Sequence, residues 1–318
     1  MRHFLDFEKP IAVLEGKIEE LRHMSSDMDI NIVEEISRLQ KRMTREMQAT
    51  YEKLGPWEKV QVARHPDRPK ATAIINTLID DYTPLSGDRN FKEDHAIVGG
   101  LGRFRGQSVV VLGTEKGTTT EERIKRNFGM ARPEGYRKAK RLMELAERFG
   151  LPVITLVDTA GAYPGRGAEE RGQAEAIARS IETCLNLTSP IISTIVGEGG
   201  SGGAIALATG NRVIMFEHAV YSVISPEGCA SILWRSAEHA KTAAEALRLT
   251  ADDMAKLGVV DAIVEEPLGA AHRDPAKAIH DLGDTIESQL KSLSSLSADA
   301  LVKDRHDKYL ALGDKGLA

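Results

Sequence analysis

The chain has 318 residues, 42% of them hydrophobic and 28% charged, enough to build one large α/β domain or two. A net charge of −5 gives no reason to expect nucleic-acid binding, and no run approaches the ~20 apolar residues that cross a bilayer. Met1–Pro10 is charged and lacks the apolar centre of a signal peptide. Cys184 and Cys229 cannot form a disulfide framework or a four-ligand zinc site, so a cytoplasmic chain without its own metal is expected.

Ile11, Leu14, Ile18 and Leu21, then Ile32, Ile36, Leu39 and Met43, recur at helical spacing. They predict an N-terminal helical hairpin over 1–55 with its turn at Met24–Asp29, stopped by Gly55-Pro56. From Ile97 the texture is that of an α/β domain, expected to run over 56–292. Strands Ile97–Arg103 and Ser108–Gly113 flank a tight turn at Phe104–Gln107. Thr119 and Glu122 form a capping box that opens a helix to about Asn127, and Pro133 starts another that ends at Phe149-Gly150. Val153–Val157 reads as a buried strand, followed by a glycine-rich turn and a helix over Ala168–Leu187. Pro190–Val196 is a second such strand, with a second glycine-rich turn and a short helix to Gly210. Strands at Arg212–Phe216, Val220–Val223 and Ala262–Val264 alternate with helices at about 226, 237–247 and 251–256. Asp274-Pro275 opens an amphipathic helix through Leu290, and 293–318 is expected as a helical tail. Repeated strand–turn–helix units argue for parallel strands.

Gly197-Glu198-Gly199-Gly200-Ser201-Gly202-Gly203-Ala204 lies between a strand and a helix. Glycines let a ligand approach the main chain, and free amides at a helix start favour negative charge. Four readings remain open on the residues alone. Gly197, Gly199 and Gly202 fit the dinucleotide pattern, with Glu217 about 20 residues on. Gly199, Ser201 and Gly203 fit a nucleophile elbow, for which Asp261 and His272 supply the residue types of a serine hydrolase. The others are an oxyanion hole of backbone amides and a turn that serves packing only. Asp158–Gly167 is a second glycine-rich turn at the end of the neighbouring strand, which suggests a cleft built from backbone. Between 116 and 141 basic residues dominate, read either as a solvated helix face or as an attraction for phosphates or an acidic partner.

The stretches Asp158–Gln173, Gly197–Ala204 and Ser222–Ala230 closely resemble the α-subunit family of bacterial acetyl-CoA carboxylase carboxyltransferases. Arg126–Met130, Pro133–Lys138, Phe4–Glu8 and Pro267–Arg273 fit as well, so the resemblance spans almost the whole chain. Ala160 departs from it, since proline is expected there. The resemblance implies a crotonase-like spiral of ββα units with helices added at both ends. It implies a β subunit partner in an α2β2 enzyme, serving a biotin carboxylase and a biotin carboxyl carrier protein. The activity implied is transfer of a carboxyl group from carboxybiotin to acetyl-CoA, giving malonyl-CoA for fatty acid synthesis, with zinc only on the β subunit and no covalent cofactor here. It places a biotin-side oxyanion hole at the Gly202 and Gly203 amides, with Gly199, Gly200, Gly161, Ala162 and Tyr163 as substrate contacts.

Overall fold

In the computed structural model, which describes residues 3–24 and 30–313, the expected hairpin is formed by α1 (Lys9–Met24) and α2 (Ile30–Tyr51). Its turn falls largely on residues 25–29, and the last five residues of the tail on 314–318, outside the described residues. Pro56 both ends the hairpin region and opens α3 (Pro56–Ala63), and α4 (Ala71–Leu78) follows. Neither helix was legible as a periodic segment, because each is only two turns long.

The sheet begins with β1 (Ile79–Pro84), β2 (Ile97–Phe104) and β3 (Gln107–Thr114), with β2 antiparallel to both β1 and β3 and β3 parallel to the strand that follows it. Arg105 and Gly106 take φ of 48° and 83° in the two-residue turn between β2 and β3, the positive-φ pair such hairpins need. After α5 (Thr120–Lys125), whose capping box is present as read, comes α6 (Pro133–Phe149). From β4 (Val153–Thr159) the strands are parallel: β5 (Ile191–Gly200), β6 (Arg212–Phe216), β7 (Val220–Ser222) and β8 (Ala262–Val264). The order is β1-β2-β3-β4-β5-β6-β8, with β7 paired on the far end of β5. The single helix expected over Ala168–Leu187 is two, α7 (Arg166–Glu169) and α8 (Gln173–Asn186), because Gly172 between them has φ of 79°. The remaining helices are α9 (Ser201–Ala208), α10 (Pro226–Trp234), α11 (Ala240–Leu247), α12 (Ala251–Lys256), α13 (Pro275–Leu293) and α14 (Ala298–Leu310).

β4 is buried along its whole length and β5 along all but its last residue, so both faces of the sheet are covered. Alternate positions show this directly. Gly99 of β2 faces Leu142 of α6, whereas Gly113 of β3 faces Ala71 of α4.

The hairpin is held to the main body by a small second core of Ile11, Met47, Tyr51, Val62 and Ala270. Beneath it Glu8, fully buried, accepts hydrogen bonds from the Tyr51 hydroxyl at 3.0 Å and from Arg273 at 2.9 Å. His272 stacks on His65 with ring centroids 3.7 Å apart, and its two buried ring nitrogens have no hydrogen-bond partner among the described residues. Burial, then the neighbouring His65 and Arg273, push the His272 imidazole down to about 3. Below about pH 6.5 the unfolded chain therefore takes up a proton that folded His272 refuses. Stability should fall as the pH drops from there. Thermal melts between about pH 7 and pH 5 should show this decline, and His272→Phe should flatten it. Equal slopes for the two proteins would mean that the ring titrates normally.

Candidate active site

The strand expected to stop at Val196 runs on to Gly200, so Gly197 to Gly200 belong to β5 and the turn begins only at Ser201. The extension is possible because β7 pairs with it, Glu198 to Gly200 lying opposite Val220 to Ser222. Its register against β4 is irregular. Val157 faces Ile195, but Thr159 faces Gly199, so β5 carries a bulge at Val196–Glu198 opposite Asp158. Side chains satisfy the backbone groups that the bulge frees. Asp158 Oδ1 accepts the Glu198 amide at 2.9 Å, and Arg68 Nε donates to the Val196 carbonyl at 2.6 Å.

The bulge brings the end of β5 against the turn that follows β4. A Cβ on Gly200 would lie 2.3 Å from the Ala160 carbonyl oxygen, and one on Gly203 would lie 2.6 Å from the Ala162 amide nitrogen. Glycine is required there for close approach and not for a positive φ, which at the junction belongs to Gly161 (148°) and Ser201 (53°). Gly202 differs from Gly203, since its added Cβ would meet only ordinary contacts at 3.7 Å. Gly202 and Gly203 are the second and third residues of α9, which has no side-chain cap, so their amides lack helical acceptors. Of the other predicted contact residues, Gly199 is buried against Tyr221, Ala162 is half-exposed beside Gly203, and Tyr163 is half-exposed with its ring against Gly165. The Gly161 amide is held by the Thr159 hydroxyl at 3.1 Å, and Arg132 lies 4.5 Å over the Tyr163 ring.

This geometry bears on two of the readings of the loop. Gly197 and Gly199 lie inside a strand, so the dinucleotide pattern builds no phosphate-binding turn. Ser201 does sit in a strained, elbow-like conformation, but its proposed partners are elsewhere. Asp261 binds the Val213 amide and Lys308 at the start of β6, which pairs with the start of β5. Ser201 follows the other end of that ten-residue strand, roughly 30 Å away at the usual rise. His272 stacks on His65 under the hairpin.

The basic segment is only partly a solvated face, with Lys125 exposed but its second half turned inward. Lys138 is 2% exposed and binds Glu93 and the Asp94 carbonyl, Arg137 binds Asp88, and Arg141 donates to the Gly87 carbonyl. Glu8, His65 and His272 place possible metal-ligating atoms within 4.8 Å of one another. Both Glu8 oxygens are already engaged by Leu5, Tyr51 and Arg273, and both His65 ring nitrogens by the His3 carbonyl and the Asp67 amide. A charge ladder that the sequence did not reveal lies directly behind the cleft. Lys116 Nζ is 2.7 Å from Asp158 and 2.8 Å from Glu198, and Arg64 joins Glu198 to Glu227. Burial alone would raise Glu198, but Lys116 and Arg64 hold its carboxyl below the usual range.

Residues 4–313 match the family described as acetyl co-enzyme A carboxylase carboxyltransferase-like. The chain belongs to that family. It is 64% identical over 316 residues to the acetyl-coenzyme A carboxylase carboxyl transferase subunit alpha of Paramagnetospirillum magneticum, covering 99% of this chain and 100% of that one. The protein of the same name from Rhodospirillum centenum is 62% identical over 315 residues, with 99% of each chain covered. Among solved structures, transcarboxylase 12S matches with a TM-score of 0.59 at 18% identity, over 75% of this chain and 45% of that one. The β subunit of geranyl-CoA carboxylase from P. aeruginosa matches at 0.57 and 18%, over 78% and 46%. These likenesses show the fold, the crotonase-like α/β fold expected from the sequence. The serine-hydrolase alternative finds no support among them.

The steric contrast at the loop gives a direct test. Gly203→Ala should cost about 1–3 kcal/mol, as overpacking does, because a backbone nitrogen occupies the Cβ position. Gly202→Ala should change stability by less than about 1 kcal/mol, within the helix propensity of alanine. Denaturant melts of the two variants would measure both; equal losses would mean that the two turns are not in contact as described.

Proposed function

We propose that this chain is the α subunit of a two-subunit acetyl-CoA carboxyltransferase. It moves the carboxyl group of carboxybiotin, presented by a carrier protein, to acetyl-CoA and so makes malonyl-CoA for fatty acid synthesis. The observation that carries the reading is the pair of uncapped amides at Gly202 and Gly203, set at a helix start against a second glycine turn. Transfer leaves negative charge on the ureido oxygen of biotin, and removal of the acetyl α-proton leaves it on the thioester oxygen. Fixed N–H donors with a helix dipole behind them stabilise such charge without reorganising. The biotin nitrogen can itself take the α-proton, which fits a cleft without a poised catalytic side chain.

The chain supplies one side of the site. The depression at Gly199, Gly200, Ser222 and Pro226 has a volume of only about 20 Å³, too small to enclose an acyl-CoA. Val223, next to it in the chain, and Ile232, Leu233 and Trp234 at the end of α10 are 41–72% exposed, apolar surface of the kind a partner covers. We assign that cover to the β subunit, which would hold the acyl-CoA and a zinc ion in an α2β2 assembly served by a biotin carboxylase and the biotin carrier. The cytoplasm is the compartment that fits, and among the described residues no helix is long and apolar enough to cross a membrane.

Malonyl-CoA should form from acetyl-CoA and carboxybiotin when the chain is combined with its β partner, and not with either chain alone. Turnover by this chain alone would overturn the two-sided site. In the assembled enzyme Gly203→Val should lower kcat by about 100-fold, the usual scale for an oxyanion donor, because its side chain collides with the 161–162 backbone and displaces the amide. Ser201→Ala should cost less than about tenfold. The reverse order would return the serine to the mechanism.

A further inference from the structure

The ladder behind the cleft touches no reacting atom and takes no part in the chemistry above. Buried ion pairs contribute little to stability, because the desolvation of each charge offsets the attraction. This one lies where it controls geometry. Asp158 precedes Ala160, where the chain leaves β4, by two residues, and Glu198 precedes Gly200 by two. Both approach one ammonium, that of Lys116, which is 16% exposed. Burial would lower the Lys116 pKa, yet Asp158 and Glu198 outweigh it and raise it, so the cation is held charged. Lys116 also fills the space beneath Gly129, whose added Cβ would lie 2.8 Å from its Cγ. Lys70, Arg64, Arg68 and Glu115 are the other charged groups packed around it.

We propose, resting on the function assigned above, that Lys116 is a positioning residue for the carboxyl-transfer site. By binding Asp158 and Glu198 together it fixes the bulge that offsets β5 against β4, and this offset aligns the Gly202 and Gly203 amides with the 160–163 turn. Without the ammonium, two carboxylates on adjacent strand ends repel each other. Asp158 then loses its hold on the Glu198 amide, and β5 relaxes toward regular pairing.

The test is Lys116→Met in the chain assembled with its β partner. Its kcat should fall by about 100-fold, the scale of a displacement of about 1 Å, while KM for acetyl-CoA stays within about twofold. The double variant Lys116→Met/Asp158→Asn removes the repulsion but keeps an oxygen for the Glu198 amide, and should recover most of the lost kcat. Hydrogen exchange should quicken in the peptide spanning 196–204 of Lys116→Met and return toward wild type in the double variant. An assembled Lys116→Met enzyme with a lower melting temperature but unchanged kcat and exchange would overturn the proposal. So would a double variant worse than the single one. Should the wild-type complex make no malonyl-CoA, the assigned function fails, and the exchange of the 196–204 peptide alone still decides whether Lys116 holds the bulge.

Discussion

The end of β5 lies against the turn after β4 so closely that no side-chain carbon fits at Gly200 or Gly203. Most of what distinguishes this chain from a generic parallel sheet follows from that contact. It requires a bulge, because regular pairing would carry β5 past the turn at the wrong height. The bulge frees an amide and a carbonyl in a buried place, and such groups need partners. Asp158 and Arg68 are those partners, and as charged groups in a dry interior they need counterions of their own. Lys116 and Glu266 supply them: Glu266 grips Arg68 through both oxygens, at 2.8 and 2.6 Å. The buried charges are thus a consequence of one steric contact between two glycine turns.

The same economy explains why several cations of the basic stretch from 116 to 141 are unavailable for binding. Lys116, Arg137, Lys138 and Arg141 are consumed in holding loops against the sheet, each by a carboxylate or a carbonyl. A cation on a helix face reads as solvated in a sequence, but its stem can lie along apolar surface and its head can reach a buried acceptor.

The proposed site of backbone amides has a structural cost and a chemical benefit. The donors are fixed by the fold and need no particular protonation state, so they act wherever negative charge develops. Such a site is selective only if something else shapes the cleft. The shallow depression beside the turns and the exposed apolar residues at Val223 and the end of α10 are what half of a cleft looks like before its other wall is added. The proposed division of the work between two chains accords with that arrangement.

The sequence by itself determined the local elements. Thr119 with Glu122, Pro133 with Gly150, Ser225 with Pro226 and the buried runs of β4 to β6 carry their own start signals and period, and each begins within a residue of where these signals put it. The long motifs around 158–173 and 197–204 fixed the family for the same reason, since a backbone site must be written in glycines at set intervals. Tertiary structure alone decided where β5 ends, because Gly197 to Gly200 have no strand propensity and become a strand only when β7 pairs with them. It split the helix expected over 168–187 at Gly172. It separated Asp261 and His272 from Ser201, which spacing along the chain could not do. It also brought Lys116, Asp158, Glu198, Arg64 and Glu227 into one line, although they come from five separate segments. Hydrophobic period and turn chemistry are local and can be read in a sequence, whereas charge pairing across a sheet depends on which strands become neighbours and in what register.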